Sequence, residues 1–346
     1  MLTRFFHRWE ERLADISRTE RVVRPFDWGV DWIPSNGHSR DAVPERLVRH
    51  WIDGVMADTD AFFTPEPTTA YAFTPASLTS ASRGEAGTLT FPSSLLTPHE
   101  LNNTVHARFF PAKDKRRAVV LLPQWNADEG GHVGLSHLLA RLGISALRLS
   151  LPYHDRRMPP ELSRADFIVS ANVVRTVQVC RQAVLDTRRA LWWLRDQGYE
   201  SLGLLGTSLG SCLAMLTASH EPLVRAQALN HVSPFFADVV WHGLSTSHVR
   251  AGMVGHVDLD LLRELWRPIS PWSYLERVRG RKTLLVYAKY DLTFPVDLSR
   301  KLVDEFARLD IPTDVAVLPC GHYSTGRAPY KFLDAYYLAR FLRRNL

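Results

Sequence analysis

The sequence predicts an α/β fold: a mostly parallel central sheet of about eight strands with helices on both faces, a helical lid insert and an N-terminal extension. Three observations lead there. From Thr88 onward, short apolar and β-branched runs alternate with longer stretches of helical periodicity, the pattern of a layered α/β architecture. About 50 residues separate the run ending near His231 from the one starting at Lys282, longer than an ordinary connection and suited to an insert over a pocket. The composition, 45% hydrophobic and 23% charged over 346 residues, allows a sizeable core and argues against a disordered, collagen-like or membrane-embedded chain.

Residues 1–87 read as the extension. Pro25, Pro34, Ser35-Asn36-Gly37, Pro65, Pro67 and the small polar stretch Thr74 to Gly87 make this part rich in turns. One helix is expected within it, from about Val43 to Ala57, because Leu47, Val48, Trp51, Ile52 and Val55 share a face. Ahead of it, Leu2, Phe5, Phe6, Trp9, Leu13 and Ile16 also fall at helical spacing. Arg4, Arg8 and Arg12 lie on another face, with Glu10, Glu11 and Asp15 diluting the basic charge. Such a helix packs its apolar stripe on the body, or lies on an anionic membrane surface as a peripheral contact through residues 2–16.

Residues 88–346 form the main domain. TLTFPSSL and NTVHARFFPA, joined by a short turn, suit an antiparallel opening hairpin. RAVVLLPQ, ISALRLSLP, SLGLLGTS, RAQALNHV, KTLLVYAKYD and TDVAVLPCGH alternate with helices and are expected to run parallel. The longest helical pattern spans Asp166 to Gln197. The insert, about 233–280, carries Phe235, Phe236, Trp241, Trp266 and Trp272, aromatic surface that either lines an acyl pocket or packs the insert onto the body.

Charge and motif content narrow the function classes. The 42 Lys and Arg against 36 Asp and Glu leave a net charge of +6, and the basic patches are short and lack interleaved aromatic residues, so a nucleic-acid partner is not expected. The three cysteines, Cys180, Cys212 and Cys320, are far apart and suggest neither a disulfide framework nor a zinc site. His242, His248 and His256 lack metal-ligand spacing, and no phosphate-binding glycine loop occurs, so neither a metal nor another cofactor is expected. The start MLTRFFHRWEERL lacks the apolar stretch of a secretory signal, and no run approaches a membrane span, which points to a cytoplasmic location.

The chemistry centres on Gly206-Thr207-Ser208-Leu209-Gly210, a G-x-S-x-G between the apolar strand LGLL and the helix-compatible SCLAMLTA. A serine there sits on a tight strand-to-helix turn at a helix N-terminus, where backbone N–H groups favour developing negative charge. A serine hydroxyl needs a base, and the base needs an orienting carboxylate. Asp291 ends the strand LLVYAKYD before a break at Leu292-Thr293-Phe294-Pro295, and His322 follows VAVLPC and Gly321, so Ser208, Asp291 and His322 are expected to converge on the C-terminal edge of one parallel sheet. Tyr153, Arg156 and Arg157 leave another strand at the same edge. Two adjacent arginines can clamp a phosphate or carboxylate of a substrate, or pair with acids such as Glu161 or Asp166 to pin the loop.

GTSLG, the D-x-x-x-P of Asp291 to Pro295 and Cys320-Gly321-His322 resemble the α/β-hydrolase superfamily over roughly residues 88–346. The resemblance implies an oxyanion hole built from the amide of Leu209 and, from the loop Leu122-Pro123-Gln124-Trp125-Asn126, that of Trp125. A narrower likeness rests on Pro152-Tyr153-His154-Asp155-Arg156-Arg157-Met158-Pro159, Asp166-Phe167, Trp193-Leu194-Arg195-Asp196-Gln197-Gly198-Tyr199 and GTSLG. These look like the α/β-hydrolase-domain-containing protein eighteen family, whose members are thought to be lipid-directed serine hydrolases. The expected function is hydrolysis of a small-molecule or lipid acyl ester through an acyl-enzyme. A peptidase or acyltransferase with the same triad, or a non-catalytic binding protein on this fold, are the alternatives.

Overall fold

Each apolar run expected as a strand becomes one in the computed structural model, which describes residues 2–16, 20–34, 43–82 and 84–346. The predicted turn at Ser35-Asn36-Gly37 lies outside the described residues. The strands are β1 (Ala72–Pro75), β2 (Gly87–Pro92), β3 (Thr104–Phe110), β4 (Arg117–Leu122), β5 (Ser145–Leu149), β6 (Ser201–Thr207), β7 (Val224–Asn230), β8 (Lys282–Ala288) and β9 (Thr313–Leu318). Their order across a single sheet is β1-β2-β3-β5-β4-β6-β7-β8-β9. β1, β2 and β3 pair antiparallel, β3 joins β5 antiparallel, and the six strands from β5 to β9 are mutually parallel. Chain direction across the sheet reverses at β4, which sits between β5 and β6, and the crevice at such a switch point is where open α/β sheets bind ligands.

β1 is the strand that the sequence pattern did not reveal. Its residues are exposed throughout, so it lacks an apolar alternation, and it ends in a proline suited to a sheet edge. The extension therefore supplies the outermost strand of the main sheet.

The helices follow the expected layers. In the extension lie α1 (Leu2–Ile16), α2 (Pro44–Ala57), α3 (Thr59–Phe63) and α4 (Leu78–Ser82). α5 (Val133–Arg141), α6 (Val173–Asp196) and α7 (Leu209–His220) link the early parallel strands. The insert between β7 and β8 holds α8 (Phe236–His242), α9 (Ser247–Met253), α10 (Leu259–Leu265) and short 3-10 turns, and α11 (Val296–Arg308) and α12 (Tyr330–Asn345) complete the body. Alternate residues of β4 enter opposite apolar layers, Val120 and Leu122 in one, Val119 and Leu121 in the other. Burial on both faces is what a parallel strand requires.

α6 starts at Val173, seven residues later than the periodicity suggests, because Asn172 caps it by accepting from the Arg175 amide at 2.9 Å. The residues flanking the cap pair with the extension: the Asp27 amide donates to Ala171 O at 3.1 Å and the Val173 amide to Asp27 O at 3.0 Å. No helix among the described residues is long and apolar enough to cross a membrane.

Candidate active site

Ser208 occupies the turn from β6 into α7 with φ 56° and ψ −119°, a left-handed backbone that a non-glycine residue adopts only under constraint. The two flanking glycines allow the turn to close this tightly. A Cβ on Gly206 would sit 2.1 Å from Gly210 O, and one on Gly210 would sit 2.2 Å from Leu122 O. The turn is further tied down by the Ser208 amide donating to Asn230 O at 2.8 Å.

Asp291 lies in the turn beyond β8 and His322 in the turn beyond β9. His322 Nδ1 is 3.0 Å from Asp291 Oδ2, and the amides of Thr293 and Phe294 donate to Asp291 Oδ1 at 2.8 and 2.7 Å. Burial works to raise the Asp291 pKa, but His322, His231 and their hydrogen bonds outweigh it and hold the carboxyl well below the usual carboxylate range. For His322, burial disfavours the charged ring, yet the charge and hydrogen bond of Asp291, with Glu10 behind, lift its pKa above the ordinary histidine value. Phe294 stacks on the His322 ring at 5.3 Å and 5°.

Ser208, His322, Trp125 and Leu209 all line one cavity of about 1410 Å³ at the C-terminal edge of the parallel strands, and Asp291 stands behind it. Ser208 Oγ makes no hydrogen bond among the described residues. A nucleophile and its base often stand further apart than hydrogen-bond reach until substrate is bound. The backbone amides of Trp125 and Leu209 also have no partner among the described residues, as donors reserved for an oxyanion would not.

The loop carrying Trp125 is fixed from several sides. Trp125 Nε1 donates to Ala165 O at 2.8 Å, Asn126 Oδ1 accepts from the Ala165 amide at 2.8 Å, and the Trp125 ring stacks on His248 of the insert at 5.7 Å. The Asn126 amide donates to His154 Nε2 at 2.9 Å, while His154 Nδ1 is 2.9 Å from Pro152 O. His154 is therefore a neutral Nδ1–H tautomer, and burial pushes its pKa down to about 4.

The expected substrate contacts from Tyr153, Arg156 and Arg157 are corrected by the structure: none of the three lines the cavity. Arg157 is wholly buried and donates to Asn102 O, Ser150 O and Asp186 Oδ2, the last at 2.9 Å. Tyr153 is also wholly buried, with its hydroxyl 3.0 Å from His99 Nδ1. Arg156 points outward and pairs with Glu129 at 3.3 Å. The pinning partners differ too, since Glu161 pairs with His99 and Asp166 with Arg24 and Arg164. The physical reason is reach: the 3-10 turn Asp155–Arg157 aims its second arginine down onto α6, beneath the loop. Arg157→Met, which strands the Asp186 carboxylate without a counter-charge, is expected to destabilise the fold by about 3–5 kcal/mol in denaturant unfolding. A substrate clamp would instead show itself as a raised KM at unchanged stability.

Two residues that the sequence did not mark stand close to His322. Glu10 belongs to the buried face of α1, between Phe6 and Ala14, and not to its basic face. Its carboxylate accepts from the amides of Tyr323 at 2.7 Å and Ser324 at 2.9 Å, holding the turn that begins at His322. A Cβ at position 321 would fall 2.3 Å from Glu10 Cδ, so Gly321 is what lets the carboxylate in. The signal was a lone acid inside an apolar stripe. The second residue is His231, whose Nδ1 is 3.0 Å from the same Asp291 Oδ2 that His322 uses. One atom each from His231, Asp291 and His322 lie within 4.8 Å of one another, a spacing a metal ion can use. Both Nδ1 atoms already face the carboxylate as donors, so a metal there would have to displace both Nδ1 hydrogens and break both hydrogen bonds.

The sequence profile of the alpha/beta hydrolase domain containing 18 family matches residues 94–275, more than half of the chain. The chain belongs to that family. The matched stretch of this alpha/beta hydrolase domain containing 18 member includes Trp125, Ser208 and His231, and ends before Asp291 and His322. Over 81 residues the chain is 41% identical to the uncharacterized proteins MT2702 and Rv2627c of Mycobacterium tuberculosis, a segment that is 23% of this chain and 19% of theirs. Among solved structures it is similar to the acetyl xylan esterase of Paenibacillus sp. R4, with TM-score 0.63 and 13% identity over 92% of this chain and 98% of that one. It is also similar to the acylaminoacyl peptidase of Pyrococcus horikoshii, with TM-score 0.61 and 13% identity over 79% of this chain and 42% of the peptidase. At such identities the likeness establishes the α/β-hydrolase fold.

Proposed function

We propose that this chain is a serine hydrolase that cleaves carboxylic esters through an acyl-enzyme. The observation that carries the reading is the convergence of Ser208, His322 and the unpartnered amides of Trp125 and Leu209 on one cavity, with Asp291 bonded behind His322. In this reading Ser208 Oγ bonds to the acyl carbon as His322 Nε2 takes its proton. The tetrahedral oxyanion rests on the two amides. The C–O bond to the alcohol then breaks, and His322 returns the proton to the leaving oxygen. Water repeats the sequence to release the acid and free Ser208.

The cavity supports an apolar acyl group. Its volume exceeds the roughly 300–1000 Å³ of common ligand pockets, and Phe235, Phe236, Val239, Val240 and Phe294 supply apolar wall, the first four from the insert or its leading edge. Trp266 is wholly buried and donates to Val173 O at 3.2 Å, so it anchors the insert and takes no part in that wall. The test is covalent labelling by a fluorophosphonate, followed by hydrolysis of a graded series of acyl esters from short to long. Labelling at Ser208 with preference for longer chains supports the reading. A folded wild-type protein that never labels overturns it, and turnover confined to amides or to a non-water acceptor redirects it to a peptidase or acyltransferase.

Peripheral membrane contact through residues 2–16 belongs to the same proposal. α1 packs by Phe6 stacked on Tyr290 at 4.4 Å, while Leu2 and Phe5 remain 67% and 59% exposed on its outer side. Arg4, Arg8 and Arg12 are exposed there as well and have no acidic partner among the described residues. Replacing all three arginines by glutamine is expected to reduce co-sedimentation with phosphatidylserine-containing vesicles, and unchanged sedimentation removes the contact.

A further inference from the structure

Asp291 carries two imidazoles on one oxygen. His231 Nδ1 and His322 Nδ1 both lie 3.0 Å from Asp291 Oδ2, and the two rings are 4.4 Å apart. Because an ionised carboxylate only accepts, both Nδ1 atoms must carry hydrogen. His231 is 2% exposed and holds φ 53°, a left-handed conformation that costs a non-glycine residue free energy and persists where its surroundings impose it. Those surroundings are the reacting elements themselves. The His231 amide donates to Val286 O of β8 at 2.9 Å, and His231 O accepts from Ser211 Oγ at 2.9 Å, the same hydroxyl that contacts Ser208 O at 2.7 Å.

We infer that His231 is a positioning residue, a second imidazole that fixes the Asp291 carboxylate and shares the charge of the Oδ2 atom on which His322 depends. The inference rests on the serine-hydrolase reading and adds a residue to it. Every hydrogen bond that disperses charge from Asp291 Oδ2 weakens the hold of that oxygen on the His322 ring. Burial and the neighbouring His322 both hold His231 below the ordinary histidine pKa. The other polar groups around the pair are Glu10 from α1, Tyr323 with Arg21 bonded to its hydroxyl at 2.9 Å, Ser208 from the turn into α7, and Asp334 of α12 bonded to Asn230 at 2.9 Å. Among the hydrogen bonds of the described residues, none of these reaches Asp291 Oδ2.

The test compares pH profiles of kcat/KM for the wild type, His231→Leu and His231→Asn. The acid limb reports the His322 pKa of the free enzyme. Leucine removes the donor, and the acid limb is expected to move up by roughly one pH unit while kcat falls. Asparagine tolerates the left-handed backbone and places an amide N–H where Nδ1 stood, and is expected to restore both. Should leucine prevent folding at φ 53°, His231→Gly suits that backbone and carries the same expectation, with added imidazole recovering the rate. A purely structural role would lower the labelled fraction without moving the limb. Leucine or glycine variants whose limb and kcat match the wild type overturn the inference, provided the wild type labels with fluorophosphonate. If the wild type does not label, it is the serine-hydrolase reading that fails.

Discussion

Ser208→Ala is expected to abolish fluorophosphonate labelling and to reduce ester turnover by about a millionfold. The size follows from what the serine contributes at this turn. Its Oγ is the only protein atom in the proposed sequence that bonds to the acyl carbon, and alanine can occupy the same turn at φ 56°. Alanine therefore removes the nucleophile without relaxing the turn, and the oxyanion amides and cavity remain. A residual rate of roughly 10³ to 10⁴ over water is expected from those alone. The measurement is kcat on the best ester of the graded series, with thermal unfolding to show that the two proteins are equally folded. An alanine variant that keeps more than a hundredth of the wild-type rate removes Ser208 from the mechanism.

Asp291→Asn is expected to lower kcat by about 10⁴-fold. Asp291 receives four hydrogen bonds, two amides on Oδ1 and two imidazoles on Oδ2. An asparagine offers one oxygen. If it keeps the backbone amides of Thr293 and Phe294, its NH₂ confronts two N–H donors, and His322 must turn over its tautomer, which places a proton where it should accept one from Ser208. The variant also loses a stabilising charge. A carboxyl whose native pKa is depressed contributes stability that is fully present above its unfolded value near about pH 4 and is lost only as pH falls through the native value. The stability deficit of the asparagine variant should thus be largest at neutral pH and shrink in strong acid. A deficit that grows toward acid would contradict this account of Asp291.

The legible parts of this fold were those that repeat. β4 to β8 announce themselves because both faces are largely buried, β9 by its short β-branched run although it is half exposed, and α2 because Val48, Ile52 and Val55 recur at helical spacing. β1 gave no such signal, being exposed on both sides. The candidate site shows the same division. Ser208 was marked by flanking glycines whose reason is steric, and Asp291 and His322 by their place after strands. Arg157 misled because a sequence records that an arginine leaves a strand, but not that its guanidinium turns down to Asp186 on α6. His231 has the same sequence credentials as His322, a histidine just after an apolar strand, and only the position of Asp291 Oδ2 reveals that both belong to one carboxylate. Glu10 depends on a contact 313 residues away, beyond any local pattern.

That last separation bears on synthesis. A ribosome adding about 5–20 residues per second leaves on the order of 15 to 60 s between making Glu10 and making its partners, the amides of Tyr323 and Ser324. Through that interval α1 has nothing of β9 or its turn to dock on, and the body can assemble its central strands first. The contact that steadies His322 thus waits for a segment made more than 300 residues after Glu10. A chain that ends before β9 holds Ser208 and Asp291 but lacks His322, so on the proposed mechanism it has no base.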